Sequence, residues 1–183
     1  MNILVIGGGG REHAIVRKLK ENPKVETIYC IPGNGGIAAD AVCVAEIGAK
    51  DIPAQVAFAK AHDIGFAVVA PDDPLVLGAV DALEAAGIPC FGPKANAAII
   101  EGSKVFSKEL MKKYAIPTAD YRVFTDAAAA MDYVKTCPLP VVVKADGLAL
   151  GKGVLIAETR EDAFFAVETA AEALALSLGE KAR

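Results

Sequence analysis

Ile3 to Ile6 form an apolar run that breaks at four glycines, Gly7 to Gly10. A run with no polar alternation suits a parallel strand covered on both faces. From Arg11 to Glu21, Ala14, Ile15 and Leu19 recur at helical spacing while Arg17, Lys18 and Lys20 take the other side, which predicts an amphipathic helix. Residues 25–31 (VETIYCI) and 66–70 (FAVVA) read as further strands, the first ended by Pro32 and Gly33, with short strands near 41–44 and at 90–92. Asp51 and Pro53 open a helix running to about His62. The stretch PDDPLVLGAVDALEAAGIP predicts one helix in which Asp73 caps, Pro74 suits the first turn, Gly87 ends it and Pro89 lies beyond. This alternation implies an α/β fold, a doubly wound parallel sheet with helices on both faces.

Around Gly102 the rhythm changes, and the pattern divides the chain into 1–102 and 103–183 without any linker-like composition. Ser103 caps a helix carrying Phe106, Leu110 and Tyr114 on one stripe, TADYRVF (118–124) reads as a strand, and Asp126 caps a helix to about Lys135. The text LPVVVKADGLALGKGVLIAE then reads as strand, glycine-rich loop and strand, a hairpin, followed by a helix from about Arg160 to Leu178.

Composition narrows the functional classes. The chain has 183 residues, 54% hydrophobic and 23% charged, so it can bury a substantial core, and its net charge of −4 argues against a broad nucleic-acid or acidic-membrane surface. Cys30, Cys43, Cys90 and Cys137 show no CxxC pair and no metal-ligand spacing, so reduced structural thiols are expected. The start lacks the pattern of a signal peptide, and no apolar stretch approaches bilayer length. A soluble, cytoplasmic protein is the expectation.

The first glycine loop is tested against the dinucleotide fingerprint, which needs glycine at positions 7, 9 and 12. Position 12 is Glu, and the second strand ends in CIPGNGG with no acidic residue for a ribose hydroxyl, so NAD is disfavoured. Amides from Gly8 to Arg11 at a helix start still favour an anion, and Arg11 adds a fork for a phosphate. A sugar monophosphate suits this chemistry. The alternative is a plain strand-to-helix turn with Arg11 solvated.

The second loop fails as a P-loop. Only three residues separate Gly147 from Gly151, Lys152 is followed by Gly153, and a strand comes next. It leaves a turn with exposed amides and Lys152, preceded by Lys144 at the end of a strand read as buried, where an ammonium needs an anion. ATP phosphates would supply one; a core carboxylate is the alternative.

Taken together, VIGGGGREHA (5–14), PGNGG (32–36), APDDPLVLGAVDALEAAGIPCFGP (70–93), EGSKVFSKELMKKYAIPTADY (101–121) and VVVKADGLALGKGV (141–154) resemble the N-terminal part of the phosphoribosylamine–glycine ligase (glycinamide ribonucleotide synthetase) family of ATP-grasp enzymes in purine biosynthesis. The resemblance implies a Rossmann-like pre-ATP-grasp domain over 1–102, binding the substrate phosphate, and an incomplete ATP-grasp α+β portion over 103–183. It implies a carbon–nitrogen ligase that uses ATP and Mg2+ to join phosphoribosylamine and glycine through a glycyl phosphate.

By resemblance, Gly8, Gly9, Gly10, Arg11 and Glu12, with Asn34 and Gly35, hold the sugar phosphate, and Asp72 binds ribose hydroxyls. Lys104, Lys144, Asp146, Gly147, Gly151, Lys152 and Gly153 are assigned to ATP phosphates. Metal ligands are expected beyond residue 183, no catalytic residue is assigned, and His13 and His62, with no identifiable catalytic partner, are expected to be structural or solvent-facing. After about Val167 the resemblance stops, so a fragment or an altered tail is expected, inactive alone. The competing readings are another ATP-grasp ligase or carboxylase, a non-catalytic nucleotide-binding module, and, most remote, a dehydrogenase.

Overall fold

The computed structural model describes residues 1–147 and 153–181, with side chains described as far as Glu172. The chain forms two compact units, Met1–Gly102 and Ser103–Arg183.

In the first unit, β1 (Asn2–Gly7), β2 (Ile28–Pro32), β3 (Val42–Cys43), β4 (Ile64–Val69) and β5 (Cys90–Phe91) form one sheet in the order β3-β2-β1-β4-β5. Every pairing is parallel. Successive side chains on a strand face opposite ways, and the core divides accordingly. Ile3 and Val5 of β1, with Ile28, Cys30 and Val68, pack under Val16 of α1 (Gly10–Lys20). Leu4 and Ile6, with Ile31, Ala67 and Val69, pack against Ala59 of α2 (Ile52–Ala61) and Val80 and Leu83 of α4 (Ala79–Ala85). Both faces of β1 are dry, with Leu4, Val5 and Ile6 all at 0% exposure, so an uninterrupted apolar run suits it. Each such side chain stabilises the fold by about 1.5–3 kcal/mol.

Several expectations are corrected. In α1 Ile15 and Leu19 pack partly against the core as expected, but the fully buried positions are Glu12 and Val16, and Ala14 is exposed, because the stripe facing the sheet runs through 12, 15, 16 and 19. The predicted single helix after β4 is two, α3 (Asp72–Val76) and α4, broken at Gly78, whose φ of 87° lies in the left-handed region. Asp73 makes no capping hydrogen bond; its Oδ2 pairs with Lys50 Nζ at 2.6 Å. An unanticipated helix, α5 (Ala95–Gly102), starts where Ala95 N–H donates to Asp81 Oδ2 at 2.9 Å, an acceptor from the neighbouring α4. Asp51 does cap α2, accepting from Ala54 N–H at 3.1 Å.

In the second unit, α6 (Lys104–Lys113), α7 (Ala127–Val134) and α8 (Arg160–Lys181) accompany an antiparallel hairpin of β6 (Val141–Lys144) and β7 (Val154–Ala157). Val134, Cys137, Ala157, Ala163 and Val167 form its core, with Val141 and Val143 packed against it. Ser103 and Asp126 cap α6 and α7 as expected, accepting from Phe106 and Ala129 amides. Residues 118–124 form no strand. Their polar groups are drawn to α6 instead: Lys108 Nζ donates to Thr118 Oγ1 at 2.7 Å, and Tyr121 O–H donates to Glu109 Oε1 at 2.6 Å. Among the described residues no helix is long and apolar enough to cross a membrane.

Candidate functional site

The order β3-β2-β1-β4-β5 reverses direction between β1 and β4, and open parallel sheets bind ligands outside the carboxyl ends of strands at that point. Three segments meet there in the first unit: the glycine turn after β1, the PGNGG loop after β2 and Asp72 after β4.

The first two are in backbone contact. A methyl group on Gly8 would sit 2.6 Å from the Gly33 carbonyl oxygen, so a side chain there would force the two loops apart. Gly33 N–H donates to the Gly7 carbonyl at 3.1 Å. Asn34 joins both loops: its Nδ2 donates to the Gly8 carbonyl at 2.7 Å, and its Oδ1 accepts from Gly36 and Ile37 amides at 2.8 and 2.9 Å.

Glu12 does not face outward toward a phosphate. It is 3% exposed, and its Oε2 accepts the Gly9 N–H at 2.5 Å, so a glutamate three residues past the cap reaches back to the cap amide. The Gly9 amide is therefore occupied by the chain's own carboxylate, contrary to the expectation that all amides from Gly8 to Arg11 point outward. The spacing of Glu12 from Gly9 was the signal for this. Gly10 and Arg11 remain exposed at the first two helical positions, where amides carry partial positive charge.

Arg11 is 73% exposed, with Nη2 at 3.9 Å from Asp72 Oδ1 and Nε at 3.9 Å from Glu12 Oε1. Both separations exceed hydrogen-bond length, so the guanidinium is not locked to either carboxylate. Arg11 and Asp72 thus stand together at the crevice, while Asp73 is engaged by Lys50. Cys30 lies beneath: burial, with Cys43 and Glu12 nearby, pushes its thiol up to about 12. It stays a thiol and is no nucleophile.

One group was missed from sequence. His13 Nε2 and Asp40 Oδ2 are 3.0 Å apart, and Lys20 Nζ lies 3.0 Å from Asp40 Oδ1. These hydrogen bonds, from His13 and then Lys20, hold the Asp40 carboxyl below its usual range. Twenty-seven residues separate His13 from Asp40, so no local pattern reports the pair. His62 is structural, its ring stacked on Phe58 at 3.8 Å.

In the second unit, Lys104 and Asp146 meet at the start of α6. Asp146 accepts from Ser103 Oγ at 3.1 Å and Val105 N–H at 3.1 Å, and Lys104 Nζ donates to the Gly147 carbonyl at 2.6 Å. Burial pushes the Asp146 carboxyl up, but donors from Val105, Ser103, Gly147 and Lys104 outweigh it and hold it below the usual range. Asp146 is acceptor-only here and caps the helix, so it offers no donor to a phosphate. Lys144 is exposed, because β6 is covered on one face only, and the inference from a buried ammonium is withdrawn. Gly153 is buried, its carbonyl accepting from Ala145 N–H at 2.8 Å. Gly151 and Lys152 lie outside the described residues.

Comparison with known proteins matches the sequence to a family. The description "Phosphoribosylglycinamide synthetase, N domain" matches residues 1–101, and "Phosphoribosylglycinamide synthetase, ATP-grasp (A) domain" matches 102–181. A phosphoribosylamine–glycine ligase of Listeria monocytogenes is 53% identical over 168 residues, 92% of this chain and 40% of its own. The crystal structure of a phosphoribosylamine–glycine ligase from Thermotoga maritima superposes with a TM-score of 0.69 at 31% identity, over 90% of this chain and 38% of that one. A biotin carboxylase from Campylobacter jejuni, solved as a β,γ-ATP complex, shares the fold at a TM-score of 0.72 and 18% identity, over 97% of this chain and 43% of that one. The chain spans about 40% of the length of the ligases it matches. It belongs to the phosphoribosylglycinamide synthetase family.

Proposed function

We propose that this chain supplies the sugar-phosphate site and part of the ATP site of a ligase that joins phosphoribosylamine to glycine. In the proposed reaction the terminal phosphoryl group of ATP passes to the glycine carboxylate. The amine of phosphoribosylamine then attacks the acyl carbon, phosphate leaves, and an amide forms with loss of a proton from nitrogen. Activation as an acyl phosphate turns a poor electrophile into a good one.

The observation that carries the reading is the latch between the two loops at the carboxyl ends of β1 and β2, with the Arg11 guanidinium exposed beside it, 3.9 Å from Asp72. In this reading the phosphate monoester is held by the exposed amides of Gly10 and Arg11, the Arg11 guanidinium and the Asn34–Gly35 loop. Gly8 and Gly9 shape the turn, Glu12 holds the Gly9 amide, and Asp72 accepts from ribose hydroxyls. Lys104, Lys144, Gly147 and Gly153, with Gly151 and Lys152, border the ATP phosphates, and Asp146 orients them by fixing the start of α6. Mg2+ would neutralise triphosphate charge when bound. Its ligands are proposed to come from the part of the longer relatives that this chain does not cover.

Titration of the chain with ribose 5-phosphate, followed by amide chemical shifts, tests the reading. Saturable shifts at Gly10, Arg11, Asn34 and Gly35 are expected; their absence, or tighter binding of NAD, overturns it. A second expectation is that the 183-residue chain with ATP, glycine and phosphoribosylamine releases no phosphate above background. Steady turnover would show that the chain needs nothing further.

A further inference from the structure

We infer that His13, oriented by Asp40, is a positioning residue that sets the shape of the Asn34–Gly36 loop and thereby the affinity of the crevice for a phosphate monoester; this rests on the phosphate-site reading above.

The geometry begins on α1. His13 lies one turn beyond Gly9 and is only partly exposed, at 31%. Its Nε2 faces Asp40 Oδ2 at 3.0 Å, and an ionised carboxylate only accepts, so Nε2 carries the proton and donates. Asp40 is itself anchored on its other oxygen by Lys20 Nζ at 3.0 Å, from the far end of α1. The imidazole is thus held at one edge by a carboxylate that cannot easily turn away, the arrangement by which carboxylates orient histidines elsewhere.

The opposite edge of the ring faces the loop beside Gly36. A Cβ on Gly36 would lie 3.4 Å from His13 Nδ1, 3.5 Å from Cε1 and 3.2 Å from Asn34 Oδ1. The His13 ring and the Asn34 side chain thus flank the space beside Gly36, and Asn34 Oδ1 also takes the Gly36 amide at 2.8 Å. Asn34 passes that position to the glycine turn through Nδ2 and the Gly8 carbonyl. Asp40 follows directly on the single 3-10 turn Ile37–Ala39 that ends the loop, so the pair clamps the loop from its C-terminal side while Asn34 latches its N-terminal side. Truncating His13 would loosen Asp40, which closes the Ile37–Ala39 turn, from α1 and open the space beside Gly36, and a loop ordered only on binding costs affinity. His13 itself touches no ligand in this account. It acts through Gly36 and Asn34.

The test compares the full chain with His13→Ala, His13→Gln and Asp40→Ala by ribose 5-phosphate titration and thermal melting. Expected is an affinity loss of about fivefold to tenfold in His13→Ala and Asp40→Ala, with less than additive loss in the double variant, as for groups acting as one unit. His13→Gln, which can still donate to Asp40, recovers affinity to within about threefold of the parent. Affinity equal to the parent in His13→Ala overturns the inference, as does additive loss in the double variant. Should His13→Ala fail to fold, Asp40→Ala and His13→Gln carry the test, and parental affinity in the former overturns it. A parent chain that does not bind ribose 5-phosphate overturns the phosphate-site reading itself, a result separable from failure of the variants to differ.

Discussion

Asn34 ties the loop after β2 to the turn after β1: its Nδ2 donates to the Gly8 carbonyl while its Oδ1 takes two amides of its own loop. One side chain therefore fixes the mutual position of two segments that meet only because β1 and β2 are adjacent and parallel. Asn34→Ala deletes all three hydrogen bonds. A stability loss of about 1–3 kcal/mol is expected, read by urea unfolding, together with a larger fall in ribose 5-phosphate affinity than in stability.

Gly8→Ala tests the backbone approach. The new methyl would meet the Gly33 carbonyl oxygen at 2.6 Å, and neither partner is a flexible side-chain end. The loops must part, at a cost of about 1–3 kcal/mol. Thermal melting should show the loss, and ribose 5-phosphate titration should show weaker binding. A parental melting point would mean that the contact yields freely.

In the second unit, Ser103→Ala removes the cap that accepts from Phe106 N–H and the donor to Asp146. About 1 kcal/mol of stability should go with it. Circular dichroism during urea titration is a direct measure.

Asp146 gives a pH dependence with a definite sign. Its carboxyl is held below the ordinary value of about 3.9 by the donors around it, so its contribution is complete above that pH. The contribution is lost as pH falls through the lower folded-state value. Melts carried stepwise into acid should show a steeper fall for the parent than for Asp146→Asn, with the two curves converging at the acid end. Parallel curves would contradict the placement of Asp146.

Leu83→Ala supplies the contrast. Leu83 is fully buried between α4 and the sheet, on the face away from α1. A loss of about 2–5 kcal/mol is expected, with ribose 5-phosphate affinity unchanged where the variant remains folded, because Leu83 packs in the core on the far face of the sheet from α1.

Much of the fold was written in local pattern. The unbroken run Ile3–Ile6 announces a strand with two dry faces, and Asp51, Ser103 and Asp126 cap helices through amides three residues on, a range that periodicity and side-chain type already cover. The glycine turn after β1 was equally visible, as was Arg11 at its helix start.

Tertiary neighbours decided the rest. Asp73 reads as a cap until Lys50 claims it, residues 118–124 read as a strand until α6 takes their polar groups, and Asp81 supplies to α5 the acceptor that its own sequence lacks. His13 finds Asp40 across 27 residues, and Lys144 reads as buried although β6 is covered on one face alone. What the sequence by itself determined was where apolar faces lie and where helices begin, because those depend on neighbours a few residues away. Which polar group partners which was settled by strand register and helix docking, since hydrogen bonds and ion pairs act over a few ångströms that only the folded chain closes.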